Sequence, residues 1–217
     1  MKICVLIPSY NESKTIGRMV KDLRRLGLVV YVVDDGSSDK TAQIAHQEGA
    51  IVVTHETNKG KGASLREGFG HILKKNFDAV MVMDGDGQHD IKDVDSFVKV
   101  AEETNADMVI GNRMYDTTAM PYIRVCTNRF MSKLLSWMCK QYVPDSQCGF
   151  RLIKRQVLER VKLESSKYEI ESELIIKAAR AGFKIESVPI KTVYQGENSR
   201  INPILDTLRF IRLMLKG

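Results

Sequence analysis

The chain has 217 residues, 43% of them hydrophobic and 28% charged, enough for one well-packed domain, and it holds no run of about 18 apolar residues that would suggest a spanning helix. Its net charge of +6 is unevenly spread: residues 1–110 carry 14 basic and 17 acidic side chains, residues 111–217 carry 19 basic and 10 acidic, so the second half favours an anionic partner. Four cysteines, Cys4, Cys126, Cys139 and Cys148, form no CxxC pair and have no histidine at zinc-ligand spacing, which argues against structural zinc or a disulfide framework.

From the N-terminus, "KICVLIP" (2–8) predicts a buried strand with Cys4 as a small core residue. Its apolar stretch is too short and wrongly flanked for a signal peptide, so a cytoplasmic protein is expected. A helix follows over 13–26, then the β-branched strand "VVYVVD" (29–34), then a helix over 39–48 with Ser38 or Asp39 as N-cap. Residues 50–54 predict a third strand, 61–75 a helix, 79–84 a strand, 91–103 a helix and 106–111 a fifth strand. Strands alternating with helices predict βαβ units, hence an α/β fold with a Rossmann-like, mostly parallel sheet flanked by helices. Ligands of such sheets bind beyond the carboxyl ends of the strands. The polar clusters "PSYNE", "DDGSSD", "NKGKG" and "DGDGQHD" each follow a predicted strand end and are expected to gather on one edge.

The second half is less regular. Residues 112–121 predict a loop, and 122–142 a helix with Phe130, Leu134 and Met138 on one face and Arg124, Arg129, Lys133 and Lys140 elsewhere. "CGFRLIK" (148–154) reads as a strand or a short turn. A helix is expected over 169–181, with Glu169, Glu171 and Glu173 at its positive end and Gly182 beyond its C-terminus. Residues 184–194 predict a strand, in which Pro189 signals an edge or a bulge. A final helix starts near Pro203 and places Arg209, Arg212 and Lys216 beside a broad apolar surface. That helix either packs on the core or on a second subunit of a homodimer, or lies in a membrane interface with its basic residues near anionic headgroups.

In "DGDGQHD", Asp84 and Asp86 stand two residues apart at a strand end, where extended geometry points both side chains the same way. Two convergent carboxylates suit Mg²⁺ or Mn²⁺, with phosphates and waters completing the shell; the plainer alternative is a solvated turn. His89 occupies the sixth position, where an EF-hand needs glycine. Asp34 and Asp35 end the second strand and suit a ribose or a base N–H, or else a turn and helix cap shared with Ser37, Ser38 and Asp39. "NKGKG" opens a helix whose N–H groups, with Lys59 or Lys61, suit phosphates. It is neither a Walker A loop nor a GxGxxG fingerprint.

The ordered set "PSYNE", "VVDDGSSD", "NKGKG", "MDGDGQHD", "GNR" and "CGFR" resembles the family 2 glycosyltransferases, and within them the polyprenyl-phosphate (dolichol-phosphate) mannosyltransferase and glucosyltransferase branch. The resemblance spans nearly the whole chain and implies a GT-A fold. It implies that Pro8, Tyr10, Glu12 and Asp35 hold the nucleoside of a nucleotide-sugar. Asp84 and Asp86 match the DxD motif, and Gln88 stands where that branch adds a metal contact. Arg113 of "GNR" matches a basic residue near the phosphates, and Arg124 and Arg129 match positions that meet the acceptor phosphate. Arg151 and Arg200 match positions lining the same pocket. The related enzymes often carry an arginine six residues before the last of these; here that residue is Tyr194. One glycosyltransferase domain is therefore expected over 1–217: a nucleotide-sugar half (1–111), an acceptor half (112–202) and an amphipathic helix (203–217).

The resemblance implies an inverting displacement at the cytoplasmic face of a membrane, from a GDP-mannose or UDP-glucose type donor to a polyprenyl or dolichyl phosphate. A lipid phosphate is already anionic, so arginines need only orient it. A saccharide hydroxyl acceptor would need a base, for which Asp145 in "PDSQCGFR" is the candidate. A nucleotidyltransferase shares the carboxylates and the cation but would release pyrophosphate. A nucleic-acid partner is not expected, because no RRM, KH, helix-turn-helix or zinc signature is present.

Overall fold

The computed structural model describes residues 1–118 and 120–191. The elements run β1 (Ile3–Ser9), α1 (Ile16–Arg25), β2 (Val29–Asp34), α2 (Thr41–Gln47), β3 (Ile51–Thr54), α3 (Lys61–Leu73), β4 (Ala79–Val82), α4 (Val94–Glu103), β5 (Met108–Asn112), α5 (Tyr122–Cys139), β6 (Arg151–Lys154), α6 (Arg155–Arg160), α7 (Ile170–Arg180) and β7 (Ile185–Pro189). Among the described residues the strands form one seven-stranded sheet in the order β3-β2-β1-β4-β6-β5-β7.

Apolar patterning explains the layers. In β1, Cys4 to Ile7 are fully buried, as are Val30, Val32 and Val33 of β2, because helices cover both faces of the central strands. Strand β3 lies at the edge and leaves Ile51 exposed. Helix α1 turns Ile16, Met19, Val20 and Leu23 inward, the i, i+3, i+4, i+7 stripe of an amphipathic helix, each side chain contributing ~1.5–3 kcal/mol on burial.

The sheet departs from all-parallel at one strand. "CGFRLIK" resolves into β6, which runs antiparallel to both β4 and β5. Pro189 ends β7, which among the described residues pairs only with β5 at the sheet edge. Helix α6 is not anticipated by the sequence; it follows β6 without a loop and is six residues long, too short to display a periodicity. On helix α5, Leu134 and Met138 of the expected apolar face pack against the core half-buried, whereas Phe130 does not. The buried face of α5 is Val125, Asn128, Met131, Ser132, Leu135 and Cys139, and Phe130 is 65% exposed. The final helix from Pro203, Arg200 and Tyr194 lie outside the described residues.

Order β2-β1-β4 places a topological switch point between β1 and β4, because the chain moves away from β1 in both directions. A crevice at their carboxyl ends is where open α/β sheets bind ligands. "PSYNE" leaves β1 at that point and "DGDGQHD" leaves β4.

Candidate active site

The four polar clusters do converge, and backbone hydrogen bonds lace them together. The Asn11 N–H donates to Ser37 Oγ at 2.8 Å, and the Ser38 N–H returns a bond to Asn11 Oδ1 at 2.8 Å. Glu12 N–H donates to the buried Thr41 hydroxyl at 2.8 Å, and that hydroxyl donates to Asp39. Thr15 Oγ1 donates to the Gly85 carbonyl at 2.6 Å, tying the β1 loop to the β4 loop. Asp39 also accepts from Thr41 N–H at 2.9 Å, so it holds the start of α2 from the residue before the observed N-cap, Lys40.

Asp35 works inward. Its carboxylate is buried, accepts the Lys59 and Gly60 N–H groups at 2.9 and 2.8 Å, and sits 2.7 Å from His55 Nδ1. His55 Nε2 lies 2.8 Å from Glu67 on α3. Asp35 therefore fixes the 58–60 loop. His55 and Glu67 carry no motif signal and are visible only in three dimensions.

The carboxylate pair lies at the centre. Strand β4 stops at Val82, so Asp84 and Asp86 are brought together by a turn, with Gly87 at φ +74°, and not by strand alternation. Lys61, at the first position of α3, donates to Asp84 and, at 2.7 Å, to Glu171 Oε1 on α7. His89 Nε2 approaches Asp84 Oδ2 at 3.6 Å, and its ring packs on Phe150 with centroids 5.0 Å apart. Burial opposes charge on Asp84, but the Lys61 ammonium and His89 outweigh it and hold its carboxyl well below the usual range. Asp86 shifts the other way: burial, then the neighbouring Asp84 charge, raise it. Behind the pair, a Cβ at Gly149 would collide with the Asp84 carboxylate, so only glycine admits this approach.

The surroundings suit a small cation. Both nitrogens of His89 and the Ser9 hydroxyl are buried without a hydrogen-bond partner, leaving polar capacity beside the carboxylates. Among the described residues no three His, Cys, Asp or Glu side chains cluster to hold an ion alone. Gln88 meets Asp86 through its backbone N–H at 3.0 Å.

Two of the four described arginines of the expected set are engaged within the protein. Arg113 clamps Asp145 with Nε at 2.7 Å and Nη2 at 3.0 Å, and its own N–H adds a bond at 3.1 Å. Gln147 N–H also donates to Asp145 at 3.2 Å. Both oxygens of Asp145 are thus occupied, and its side chain is fully buried. Arg151 is 2% exposed and donates to the carbonyls of Cys148, Glu171 and Ser146 at 2.7, 2.7 and 2.9 Å. It braces the 146–148 turn against α7. Arg124 and Arg129 share α5, but five residues of helix put them about 140° apart, with Arg129 the more exposed. Of the nucleoside set, Pro8 pairs with Val33, Tyr10 is 37% exposed, and Glu12 packs against Gly85.

Polar loops and a carboxylate pair thus meet at the switch point of a mixed α/β sheet. The family model for glycosyl transferase family 2 matches residues 4–162, and the chain belongs to that family. It is similar to an uncharacterized protein of Methanocaldococcus jannaschii, 39% identical over 199 residues, covering 89% of this chain and 82% of that one. It is also similar to the UDP-N-acetylglucosamine–dolichyl-phosphate N-acetylglucosaminyltransferase of Methanococcus voltae, 29% identical, covering 88% and 86%. Among solved structures, glucosyl-3-phosphoglycerate synthase from Mycobacterium tuberculosis with Mn²⁺ and UDP-glucose superposes with a TM-score of 0.76 at 22% identity, covering 99% of this chain and 78% of that one.

Proposed function

We propose that this glycosyltransferase moves a hexose from a nucleotide-sugar to a polyprenyl phosphate at a membrane surface, with inversion and with Mg²⁺ or Mn²⁺ held by Asp84, Asp86 and Gln88. The observation that carries the acceptor class is the engagement of Asp145. The carboxylate best placed in sequence to deprotonate a hydroxyl is clamped by Arg113, and an anionic phosphate acceptor needs no base. The similar transferase from Methanococcus voltae acts on dolichyl phosphate, which supports the same class here.

In the displacement, an acceptor phosphate oxygen attacks the anomeric carbon, the bond from that carbon to the donor diphosphate breaks, and a nucleoside diphosphate leaves. The bound cation would offset charge growing on that leaving group. Tyr10 and Glu12 stand where the nucleoside enters the crevice, and Asp35 keeps the 58–60 loop in place beneath it. Arg124 and Arg129 on α5 orient the acceptor, with Arg200 from the tail completing the expected basic set.

Membrane contact finds support on the outside of α5. Ile123, Phe130 and Trp137 repeat every seven residues and are 65–77% exposed, with Tyr122 at 83% and Tyr142 at 79% nearby. Exposed Arg129, Lys133 and Lys140 flank them. Aromatic and basic side chains on one amphipathic face suit an anionic bilayer surface. No helix among the described residues is long and apolar enough to cross a membrane.

A screen of nucleotide-sugars with MnCl₂ and a polyprenyl phosphate, following nucleoside diphosphate release, tests the reading. Turnover is expected with the lipid phosphate and is expected to vanish in Asp86→Ala, which stays folded. Turnover with a saccharide only would overturn the acceptor; full activity of the variant would overturn the metal assignment.

A further inference from the structure

The Asp84 carboxylate is already neutralised without a metal. Lys61 extends from the start of α3, donates to Asp84 and at 2.7 Å to Glu171, and its side chain is only 14% exposed. Two backbone features fix the start of its helix. Gly60 and Gly62 flank it, and a Cβ at either would meet the Ser165 or Ser166 carbonyl oxygen at 2.6 Å. Ala63 N–H donates to Ser166 O at 3.1 Å, so the first turn of α3 is pinned to the chain leading into α7. Glu171 is in turn held beside the buried Arg151, whose Nη1 donates to the Glu171 carbonyl.

We propose that Lys61 is an internal counter-cation of the metal site: it occupies Asp84 while the site is empty and must yield part of that carboxylate when a divalent cation enters. This rests on the assignment of Asp84 and Asp86 as metal ligands. The chemistry follows from charge. An ammonium against Asp84 repels an incoming divalent ion and competes for the same lone pairs. A donor diphosphate reverses the balance, because it offers Lys61 new oxygens and supplies the ion with further ligands. Metal should therefore bind weakly to the free protein and tightly once a nucleoside diphosphate is present. Glu171 is the resting partner that keeps Lys61 within the site through that exchange.

Mn²⁺ binding, read by electron paramagnetic resonance of the free ion without any turnover, tests this. In the full chain without nucleotide, Lys61→Met is expected to bind Mn²⁺ at least about 10-fold more tightly than wild type. The gain in affinity on adding GDP or UDP, large in the wild type, should shrink in the variant. Glu171→Gln leaves Lys61 to Asp84 alone and should weaken Mn²⁺ binding, which keeps the idea testable if a thermal melt shows Lys61→Met unfolded. Equal or weaker binding by Lys61→Met, or unchanged binding by Glu171→Gln, overturns the counter-cation role while the metal site stands. Absence of Mn²⁺ binding in every protein, with and without nucleotide, overturns the metal site and this inference with it.

Discussion

Asp145 and Arg113 show how far a residue's chemistry depends on its partners. A bidentate, buried guanidinium–carboxylate pair is stabilising chiefly because breaking it strands a charge. Asp145→Asn should therefore cost about 3–5 kcal/mol, seen as a large fall in melting temperature, and should lower turnover through misplacement of Arg113. A stable variant that had lost only the chemical step would return Asp145 to the role of base. Asp39 gives a pH test. Burial opposes its charge, but hydrogen bonds from Thr41 and Ser13 prevail and lower its pKa from 3.8 to about 2. A depressed carboxylate stabilises the fold above its unfolded value and loses that contribution as pH falls through its folded value. Asp39→Ala should thus melt below wild type near neutral pH, modestly because the group is exposed. That gap should close between about pH 4 and pH 2. An equal gap at low pH would reject the assignment.

At the scale of elements, local rules located almost every helix and strand of the first half, because βαβ units repeat a strong alternation of β-branched and amphipathic segments. The same rules misread α5. Polar Asn128 and Ser132 face inward on it, where Ser132 Oγ accepts the Ser146 N–H at 2.8 Å, so the aromatic residues are left outside. Such an inversion is a sign of a second apolar environment. Trp137 is the only tryptophan and reports on it directly. Its emission should shift to the blue with vesicles containing anionic lipid, less so at high salt, and Phe130→Ser should weaken the response. Unchanged emission would remove α5 from the membrane. Helix α7 teaches the converse lesson. Its acidic first turn satisfies the helix dipole, yet Glu171 holds Lys61 and Glu173 accepts the Glu164 and Ser165 N–H groups at 3.0 and 2.9 Å. Sequence position gave the charges; only packing shows their partners.

For the molecule as a whole, the edge on which the site lies was legible, because strand ends carry the polar clusters. The division of labour within it was not. Asp84 and Asp86 stand out by spacing, whereas His55, Glu67 and Glu171 lie 12 or more residues from the groups they touch. Loops bound this tightly to one another should move as a unit. Asp35→Ala removes the acceptor of the Lys59 and Gly60 amides, so their hydrogen exchange should quicken while that of β1 stays slow. No change at those two amides would deny Asp35 its hold on the loop. The reversal of β6 has a further consequence. Because it runs against its neighbours, pairing Arg151 with Val82, its entrance and not its exit opens on the ligand edge, and its exit passes straight into α6. Swapping Phe150 and the residues before it between relatives therefore alters the ligand edge. A graft confined to Lys154–Arg160 would exchange only the far end of β6 and α6.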